Sequence, residues 1–415
     1  MISEDVLRGT SRNDVICVYK VTTKLPIDKA AKAIAAEQST GTWTEISTRT
    51  DEIDRKLAGR VLSIEGIGKS EHLLTIEYPL DDFDPEVGGV PQILSVVAGN
   101  LFGLEDLKAV RLERMQLPRE IVAAFPGPKF GAEGIYSQLG REPTRPLLGT
   151  IVKPKIGLDP KSTAEYVYRV GIGGLTNSKD DETLVDQKFC PILERTRAIA
   201  EAIDRLRSET GNRLMHAIHI STRPDRILEL ADRVISAGAT ELMVDVLTCG
   251  FSAVRILAED PSVNLPIHIH RTMHGAITRN PHHGISMPVI ALLVRMCGGD
   301  ALHVGTFGIG KMYGDKREDL TSKKVLTEEL YGRLDVLPVS SGGVHPGLLP
   351  KILKVAGTKV QIQAGGGVSG HPNGLEAGAR AMNQAVDAFL KKRSLKKYAA
   401  THQELKIALD KWGVK

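Results

Sequence analysis

The residue types best suited to chemistry occur in short groups that follow apolar runs in the second half of the chain. Lys179, Asp181 and Glu182 lie within four positions of one another. Two neighbouring carboxylates supply the hard oxygen ligands that Mg²⁺ prefers. Mixed charges at the end of a strand also form ordinary salt-bridge clusters. On its residues alone, this group therefore indicates either a magnesium site or a cluster of ion pairs.

Two further groups carry bases and cations. Lys153 and Lys155 share one face of a strand by its period of two, and adjacent cations favour an anion between them, although a solvated strand end would look the same. His270 and His274 are four residues apart, as in half of a helical zinc site. The strand pattern ending at Ile269, and the absence of Glu after His270, favour a general base or an anion ligand instead.

Glycine-rich segments complete the set. They are Gly305–Gly310 leading to Lys311, then Ser341-Gly342-Gly343, then Gly365-Gly366-Gly367. Each could be a tight turn, and a lone His303 is most often structural. Glycine-rich loops that follow the seventh and eighth strands of a barrel, however, commonly bind phosphate through backbone N–H groups. With Arg271 and His303, these loops indicate room for two phosphates.

The elements that must position these residues follow a regular pattern. Eight short apolar runs are each followed by a helical stretch or by a loop and helix: residues 147–152, 174–178, 214–220, 242–247, 266–269, 301–304, 336–339 and 360–363. Eight such units in this length predict a (β/α)₈ TIM barrel. A doubly wound open sheet is the alternative, but its Gly-rich fingerprint after the first strand is absent. In a barrel, all the groups above lie at the C-terminal rim of the strands.

The rest of the chain divides into three parts. Residues 1–125 alternate short β-rich runs with two helical patterns, which predicts a small α+β domain. Residues 126–146 are dense in Pro and Gly and predict a surface connector to the barrel of residues 147–373. Residues 374–415 are Ala-rich and charged, and predict helices packed on the outside of the barrel.

Composition excludes several classes of function. Lys+Arg 54 against Asp+Glu 50 leaves a net charge of +4, too balanced for a nucleic-acid or membrane-surface role. The four cysteines, at 17, 190, 249 and 297, contain no C-x-x-C pair and indicate reduced thiols. The mixed charges at the N-terminus predict no export signal, and no apolar run is long enough to cross a bilayer. We therefore predict a cytoplasmic protein.

Taken together, the motifs resemble those of a known family, the large subunit of ribulose-1,5-bisphosphate carboxylase/oxygenase (Rubisco). The shared motifs recur in order and spacing: residues 153–158, 173–182, 268–274, 303–311, 341–343 and 365–374, with 36–43 and 99–100 in the first domain. The stretches 278–281 and 284–287 are most similar to the archaeal form III branch, which has no small subunit. The resemblance implies a ferredoxin-like N-terminal domain followed by the barrel.

The resemblance also implies an activity. The expected reaction is the Mg²⁺-dependent carboxylation of ribulose 1,5-bisphosphate through an enediolate to 3-phosphoglycerate, with O2 competing with CO2. Lys179 would be carbamylated by CO2 and would bind Mg²⁺ with Asp181 and Glu182. The other expected catalytic residues are Lys153 and His270 for proton transfer, Lys155 assisting, Lys311 on a mobile loop, and Glu37 and Asn100.

Substrate-binding residues follow from the same resemblance. One phosphate would be held by Arg271, His303 and Ser341, and the other by Thr42, Trp43, Gly365 and Gly366, with Lys155, Gly342, Gly343 and Gln363 completing the set. In this family Glu37 and Asn100 come from the partner subunit, so at least a homodimer is expected. The resemblance leaves open whether the pathway served is carbon fixation or AMP salvage.

The sequence departs from the family pattern in three places. Tyr313 stands where a glutamate is usual, Thr183 stands where an asparagine is usual, and the stretch from Lys311 to Ser341 is short. The short stretch is typical of Rubisco-like proteins, which act as enolases or isomerases on related sugar phosphates, for example in methylthioribose salvage. A non-catalytic sugar-phosphate-binding protein is a third hypothesis. Retention of the positions that Rubisco-like proteins usually replace, Lys311 and Asn100 among them, favours the carboxylase.

Overall fold

The structure, a computed structural model, describes residues 13–414 apart from residues 43 and 313. The described chain forms two compact units. The first unit runs to Pro126 and also takes in Met273–Met296. The second unit holds Gly127–Thr272 and the chain from Cys297 onward. Among the residues that the structure describes, no helix is long and apolar enough to span a membrane.

The strands and helices are numbered in chain order. The strands are β1 (Val15–Thr23), β2 (Arg60–Gly66), β3 (Glu71–Tyr78), β4 (Leu107–Gln116), β5 (Leu147–Ile151), β6 (Asn177–Lys179), β7 (Met215–His219), β8 (Glu241–Asp245), β9 (Ile267–His270), β10 (Gly284–Ile285), β11 (Ala301–His303), β12 (Leu337–Ser341) and β13 (Gln361–Gln363). The helices are α1 (Ile27–Glu37), α2 (Asp51–Leu57), α3 (Gly89–Ala98), α4 (Arg119–Ala123), α5 (Gly131–Leu139), α6 (Pro160–Ile172), α7 (Ile192–Thr210), α8 (Ile227–Ser236), α9 (Val246–Cys249), α10 (Phe251–Glu259), α11 (Gly275–Thr278), α12 (Met287–Cys297), α13 (Lys316–Thr327), α14 (Leu349–Ala356), α15 (Gly366–Ser369), α16 (Gly374–Leu390), α17 (Leu395–Ala399) and α18 (Gln403–Trp412). Short 3₁₀ turns occur at Leu80–Asp82, Asn100–Gly103, Pro224–Arg226 and Pro346–Leu348.

The first unit is built on a mixed sheet in the order β10-β4-β1-β3-β2. Strand β1 pairs antiparallel with both β3 and β4, and its inward residues alternate with partly exposed ones, as expected for a strand with one buried face. This order, with its helices, confirms the predicted α+β domain. Helix α2 was not predicted, because none of its residues is buried and it carries no apolar stripe; the Thr50 side chain caps it by accepting from the Ile53 N–H.

The segment Met273–Met296 belongs to the first unit, although the sequence pattern predicted it as part of the barrel. The reason is the edge strand β10, which pairs in parallel with β4 at Gly284↔Arg111 and Ile285↔Leu112. A two-residue strand carries too little periodicity to be recognised from sequence.

The second unit contains a closed barrel in the order β11-β12-β13-β5-β6-β7-β8-β9. All of its strand pairs are parallel. Each of the eight predicted apolar runs coincides with one strand to within a few residues, so the predicted TIM barrel is confirmed. The Ala-rich face of α16 is buried, and this helix packs against α6, α14 and α18.

The predicted connector, residues 126–146, contains a helix rather than a surface loop alone. Helix α5 buries Ala132, Ile135, Tyr136 and Leu139 in one cluster with the first residues of several barrel strands: Leu147, Met215, Ala301 and Leu337, together with Val339. The helix therefore closes the N-terminal end of the barrel. Two of the glycines that predicted a loop, Gly131 and Gly140, lie at the two ends of the helix with φ of 58° and 61°, and Gly134 lies inside it.

Candidate active site

The predicted site residues of the second unit lie at the carboxyl ends of the barrel strands. Lys179, His270, His303, Ser341 and Gln363 are the last residues of β6, β9, β11, β12 and β13. The last residue of β8, Asp245, joins them and was not predicted from the sequence. Because parallel strands all end on the same rim, the fold gathers these side chains at one mouth.

Lys179 is the buried centre of the acidic group. Its side chain is 1% exposed, and its Nζ donates to the Asp180 carbonyl at 2.9 Å and lies 3.6 Å from Glu182 Oε2. Burial lowers the pKa of Lys179, which the nearby carboxylates, Glu182 foremost, only partly oppose. The result is an amine that loses its proton more readily than an ordinary lysine.

The two predicted metal carboxylates are each paired with a lysine of the loop that follows β5. Lys153 Nζ donates to Asp181 Oδ2 at 2.6 Å, and Lys155 Nζ lies 3.9 Å from Glu182 Oε1. Burial acts to raise the pKa of Glu182, but the Lys179 and His270 charges outweigh it and hold that pKa below its usual value. Glu182 is therefore kept ionised beside the Lys179 amine.

His270 is oriented by a hydrogen bond to a carboxylate on one side of its ring. Nδ1 donates to Asp245 Oδ1 at 3.1 Å, and Nε2 lies 3.8 Å from Glu182 Oε2. Asp245 is also 3.1 Å from His219 Nε2, and these histidines hold the pKa of Asp245 below its usual value against the effect of burial. Burial, then the Lys179 charge, lowers the pKa of His270. His270 is thus oriented by a carboxylate and favours its neutral, proton-accepting form.

His303 and Ser341 are directly bonded to each other, since His303 Nδ1 lies 2.6 Å from Ser341 Oγ. The His303 ring also stands edge-on to the His270 ring, with centroids 4.8 Å apart. Burial, followed by the neighbouring His270 and His268, holds the pKa of His303 well below its ordinary value. The predicted phosphate ligand His303 is therefore neutral in the free protein.

The glycine-rich loops approach the same mouth. Lys311 N–H donates to the Gly342 carbonyl at 3.2 Å, and a Cβ at Gly343 would lie 2.6 Å from the Lys311 Cβ. A Cβ at Gly365 would lie 3.1 Å from Lys153 Cε. The absence of side chains at these glycines lets both lysines pack against the loops.

Asp180, between Lys179 and Asp181 in the chain, is held by a buried network of hydrogen bonds. Its carboxylate is fully buried and accepts from Arg195 Nε and Nη2 at 3.2 and 3.0 Å, from His216 Nε2 at 3.1 Å and from the His219 N–H at 3.0 Å. Arg195, also 0% exposed, reaches this position from α7. Sequence reasoning missed Arg195, His216 and His219, because their contacts with Asp180 depend on barrel closure.

Other predicted residues are placed differently. Gln363 is buried over Gly149, with its amide lacking a hydrogen-bond partner among the described residues. Arg271 directly follows β9 and is partly buried; burial lowers its pKa, opposed by Asp319. Glu37 ends α1, and Thr42 and Asn100 are exposed, all in the first unit. Trp43 lies outside the described residues.

The donor set fits a magnesium ion only in part without modification of the lysine. Within the described part of the chain, no three His, Cys, Asp and Glu side chains are arranged to hold a metal ion. Asp181 and Glu182 supply two carboxylates, and the third oxygen donor would have to come from Lys179, whose Nζ is already 3.6 Å from Glu182. The donors therefore match the expected carbamate site, since a carbamate provides that oxygen.

Comparison with known proteins gives concordant results. Residues 134–412 match the family model for the ribulose bisphosphate carboxylase large chain, catalytic domain, and residues 6–121 match its N-terminal domain. The ribulose bisphosphate carboxylase of Methanocaldococcus jannaschii is 40% identical over 404 residues, covering 93% of this chain and 94% of the relative. That of Archaeoglobus fulgidus is 37% identical over 423 residues, covering 97% and 95%.

Solved structures agree with these relatives. A dimeric archaeal Rubisco from Hyperthermus butylicus has a TM-score of 0.89 at 36% identity, covering 98% of this chain and 97% of that one. An octameric Rubisco from Pyrococcus horikoshii, in complex with sulfate, has a TM-score of 0.91 at 36% identity, covering 99% and 96%. Since both family models match and the archaeal relatives align along nearly the whole chain, the chain belongs to the ribulose bisphosphate carboxylase large chain family.

Proposed function

We propose that the chain is a ribulose-1,5-bisphosphate carboxylase that adds CO2, with O2 as a competitor, to its substrate and releases 3-phosphoglycerate. The observation that carries the proposal is the Lys179 amine, buried beside Asp181 and Glu182 and surrounded by Lys153 and His270 at one barrel mouth. The fold, the family and the named activity of the relatives support the same reaction. We further propose that the protein is cytoplasmic.

Activation begins at Lys179 in this proposal. The neutral amine attacks the carbon of CO2, an N–C bond forms, one proton is released, and the buried cation becomes an anion. The lowered pKa of Lys179 favours this step because only the neutral amine is nucleophilic. Mg²⁺, held by the carbamate with Asp181 and Glu182, would polarise the substrate ketone and stabilise the enediolate.

Proton transfer belongs to the chain's own side chains. His270 has one ring nitrogen fixed on Asp245, so the other nitrogen, which faces Glu182, is free to accept or donate a proton at the mouth. Lys153 is placed 2.6 Å from Asp181 and is the second proton-transfer group. Lys155, 59% exposed and near Glu182, assists as a cation.

Substrate phosphates would be held by two groups of residues at the mouth. Arg271, His303 and Ser341, with the Gly342-Gly343 backbone, would bind one phosphate, and Gly365 and Gly366 the other. Lys311, exposed and hydrogen-bonded through its backbone to Gly342, would stabilise the new carboxylate. By the resemblance, Thr42 and Trp43 are further phosphate ligands, and Glu37 and Asn100 would serve the site of the partner subunit in a homodimer or an assembly of dimers.

The test is incorporation of labelled bicarbonate into acid-stable product. The protein is preincubated with CO2 and Mg²⁺ and given ribulose 1,5-bisphosphate without oxygen. We expect labelled 3-phosphoglycerate from the wild type and from Lys188→Ala, an exposed lysine nine residues beyond Lys179, and none from Lys179→Ala. Proton exchange at the third carbon of the substrate without label incorporation would instead indicate a Rubisco-like enolase or isomerase.

A further inference from the structure

A buried carboxylate lies inside the barrel, below the proposed site. Glu241 is the first residue of β8 and points inward, because it shares the alternation of Asp245 at the other end of the same strand. Its side chain is fully buried. Glu241 Oε1 lies 3.3 Å from His268 Nδ1, and neither carboxylate oxygen accepts a well-aligned hydrogen bond from the described residues. A buried acid in this state requires an explanation.

The carboxylate is the lower end of a continuous row of side chains. His268 Nε2 lies 2.8 Å from His303 Nε2, and His303 Nδ1 lies 2.6 Å from Ser341 Oγ. His268 is 0% exposed and His303 2% exposed, whereas Ser341 is partly exposed at the mouth. Four adjacent strands, β8, β9, β11 and β12, thus each contribute one member of a row that runs from the barrel interior to the mouth.

The direction of the hydrogen bonds along the row depends on one proton. With Glu241 ionised and both histidines neutral, the carboxylate 3.3 Å from His268 Nδ1 favours the tautomer protonated at Nδ1, so His268 Nε2 must accept from His303. His303 then accepts at Nδ1, so Ser341 donates its only proton to His303. In this state Ser341 has no proton to offer an anion at the mouth.

One added proton reverses the two bonds that join His268, His303 and Ser341. Whether it resides on Glu241 or on His268, His268 then donates from Nε2 to His303, and His303 donates from Nδ1 to Ser341. The Ser341 hydroxyl is released to donate to an anion. Adding a proton also removes one negative charge from beneath that anion.

We propose that Glu241 and His268 are positioning residues that couple anion binding at Ser341 to the uptake of one proton from solvent. The proposal rests on the proposed role of His303 and Ser341 in holding a substrate phosphate. It adds that binding of this phosphate requires one proton to be taken up. It makes Glu241, which touches no substrate, a determinant of phosphate affinity.

The other charged and titratable groups that face the row are few. Lys179, His270 and Arg271 act on His303 from β6 and from β9 and its loop, and with burial they keep it neutral before an anion arrives. Asp300 lies beside Glu241, and burial first, then that carboxylate among other causes, raises the pKa of Asp300 to about 6. Asp300 therefore places a second buried carboxylate beside Glu241 inside the barrel.

Sulfate is the probe, because it binds like a phosphate dianion but does not itself titrate near neutral pH. Calorimetry in buffers of different ionisation enthalpy gives the number of protons taken up per sulfate bound. We expect about one proton for the wild type, with a Kd that rises about tenfold per pH unit between about pH 7 and 8.5. Ser341→Ala should weaken binding and lose the proton uptake.

Glu241→Gln separates coupling from structural damage. The side-chain amide that this substitution introduces can donate to His268 Nδ1 without any added proton, so sulfate binding should become independent of pH. Binding should also be about 30-fold tighter than in the wild type at about pH 8.5, since the wild-type Kd rises about tenfold per pH unit from about pH 7. A merely structural defect would weaken binding at every pH. The control is Glu229→Gln, an exposed glutamate of α8, which should behave as the wild type.

The outcomes distinguish this inference from the proposed function. If the wild type takes up no proton while Ser341→Ala still weakens sulfate binding, the relay is refuted and the phosphate site stands. If Ser341→Ala binds sulfate as the wild type does, the phosphate assignment of Ser341 fails together with the relay. A wild type that takes up no proton refutes the relay even if Glu241→Gln does not fold.

Discussion

Replacing Arg195 by methionine tests how much the buried ion pair between Arg195 and Asp180 contributes to the stability of the protein. Arg195 and Asp180 are both fully buried, and the guanidinium also donates to the Cys190 and Val185 carbonyls, each at 2.8 Å. Methionine fills much of the same volume without charge. The change leaves Asp180, between Lys179 and Asp181, as a buried carboxylate with its principal cation removed.

The expected magnitude follows from these contacts. Removing one partner of a buried ion pair costs about 3–5 kcal/mol. Each of the two carbonyls that loses its donor adds about 1 kcal/mol, and water entry offsets part of the sum. We therefore expect Arg195→Met to lower the free energy of unfolding by about 4–5 kcal/mol at pH 7. The matched control, Arg197→Met, removes an exposed arginine of the same helix and should change it by less than about 0.5 kcal/mol.

The pH dependence has a definite sign. Burial acts to raise the pKa of Asp180, but Arg195 and then His216 outweigh it and hold that pKa below its usual value. In the wild type the carboxylate therefore contributes stability above its unfolded pKa. Without Arg195 burial dominates and the native pKa rises, so the variant gains stability as the pH falls from about 7 towards about 4.5.

The assay is guanidinium unfolding at about pH 7 and about pH 4.5, at fixed protomer concentration. The gap between Arg195→Met and the wild type should narrow at the lower pH, and the double variant Asp180→Asn/Arg195→Met should recover part of the loss at the higher pH. An Arg195→Met protein as stable as Arg197→Met, or a gap of the same size at both pH values, would refute the reasoning.

Three further predictions concern the loops of the mouth. Lys311→Met should lower carboxylation about 100-fold or more while proton exchange at the third carbon of the substrate persists, as measured with labelled CO2 and labelled water. Gly343→Ala places a Cβ 2.6 Å from Lys311 Cβ at a φ of 69°, so it should raise the KM for the bisphosphate and cost about 1–3 kcal/mol in thermal unfolding. Burial raises the pKa of Asp319, which accepts from the Phe307 N–H, to about 6, so the wild type should lose stability as the pH rises from about 4 through 6. Asp319→Asn should lack that loss in denaturation series, and parallel curves for the two proteins would contradict the assignment.

The barrel could be predicted from the sequence because each strand is a short apolar run between helical stretches. Once the barrel is assumed, the rim rule selects residues at the carboxyl ends of strands, and Lys179, His270, His303 and Ser341 all end strands in the structure. The local hydrophobic pattern is sufficient to locate these residues, because each of them lies at the end of an apolar run that the pattern already identifies as a strand.

The supporting residues could not be found in this way. Asp245 lies inside an apolar run, and Arg195 lies on an ordinary amphipathic helix; their partners come from other strands, which only barrel closure brings close. Glu241 could not be predicted as a buried residue either, because a glutamate that begins a strand normally faces solvent. Helix α5 was missed because its local signals conflict. Its flanking glycines predict a loop, and its apolar stripe is too short to predict a helix against them.

The position of α5 in the chain has a consequence for biosynthesis. The helix that closes the bottom of the barrel leaves the ribosome before every strand it covers, and its last strand partner, Leu337 in β12, follows roughly two hundred residues later, a delay of about 10–40 s at ordinary rates of translation. Throughout that interval the apolar face of Ala132, Ile135 and Leu139 has no complete partner. The nascent chain therefore exposes this apolar face until β12 has been synthesised.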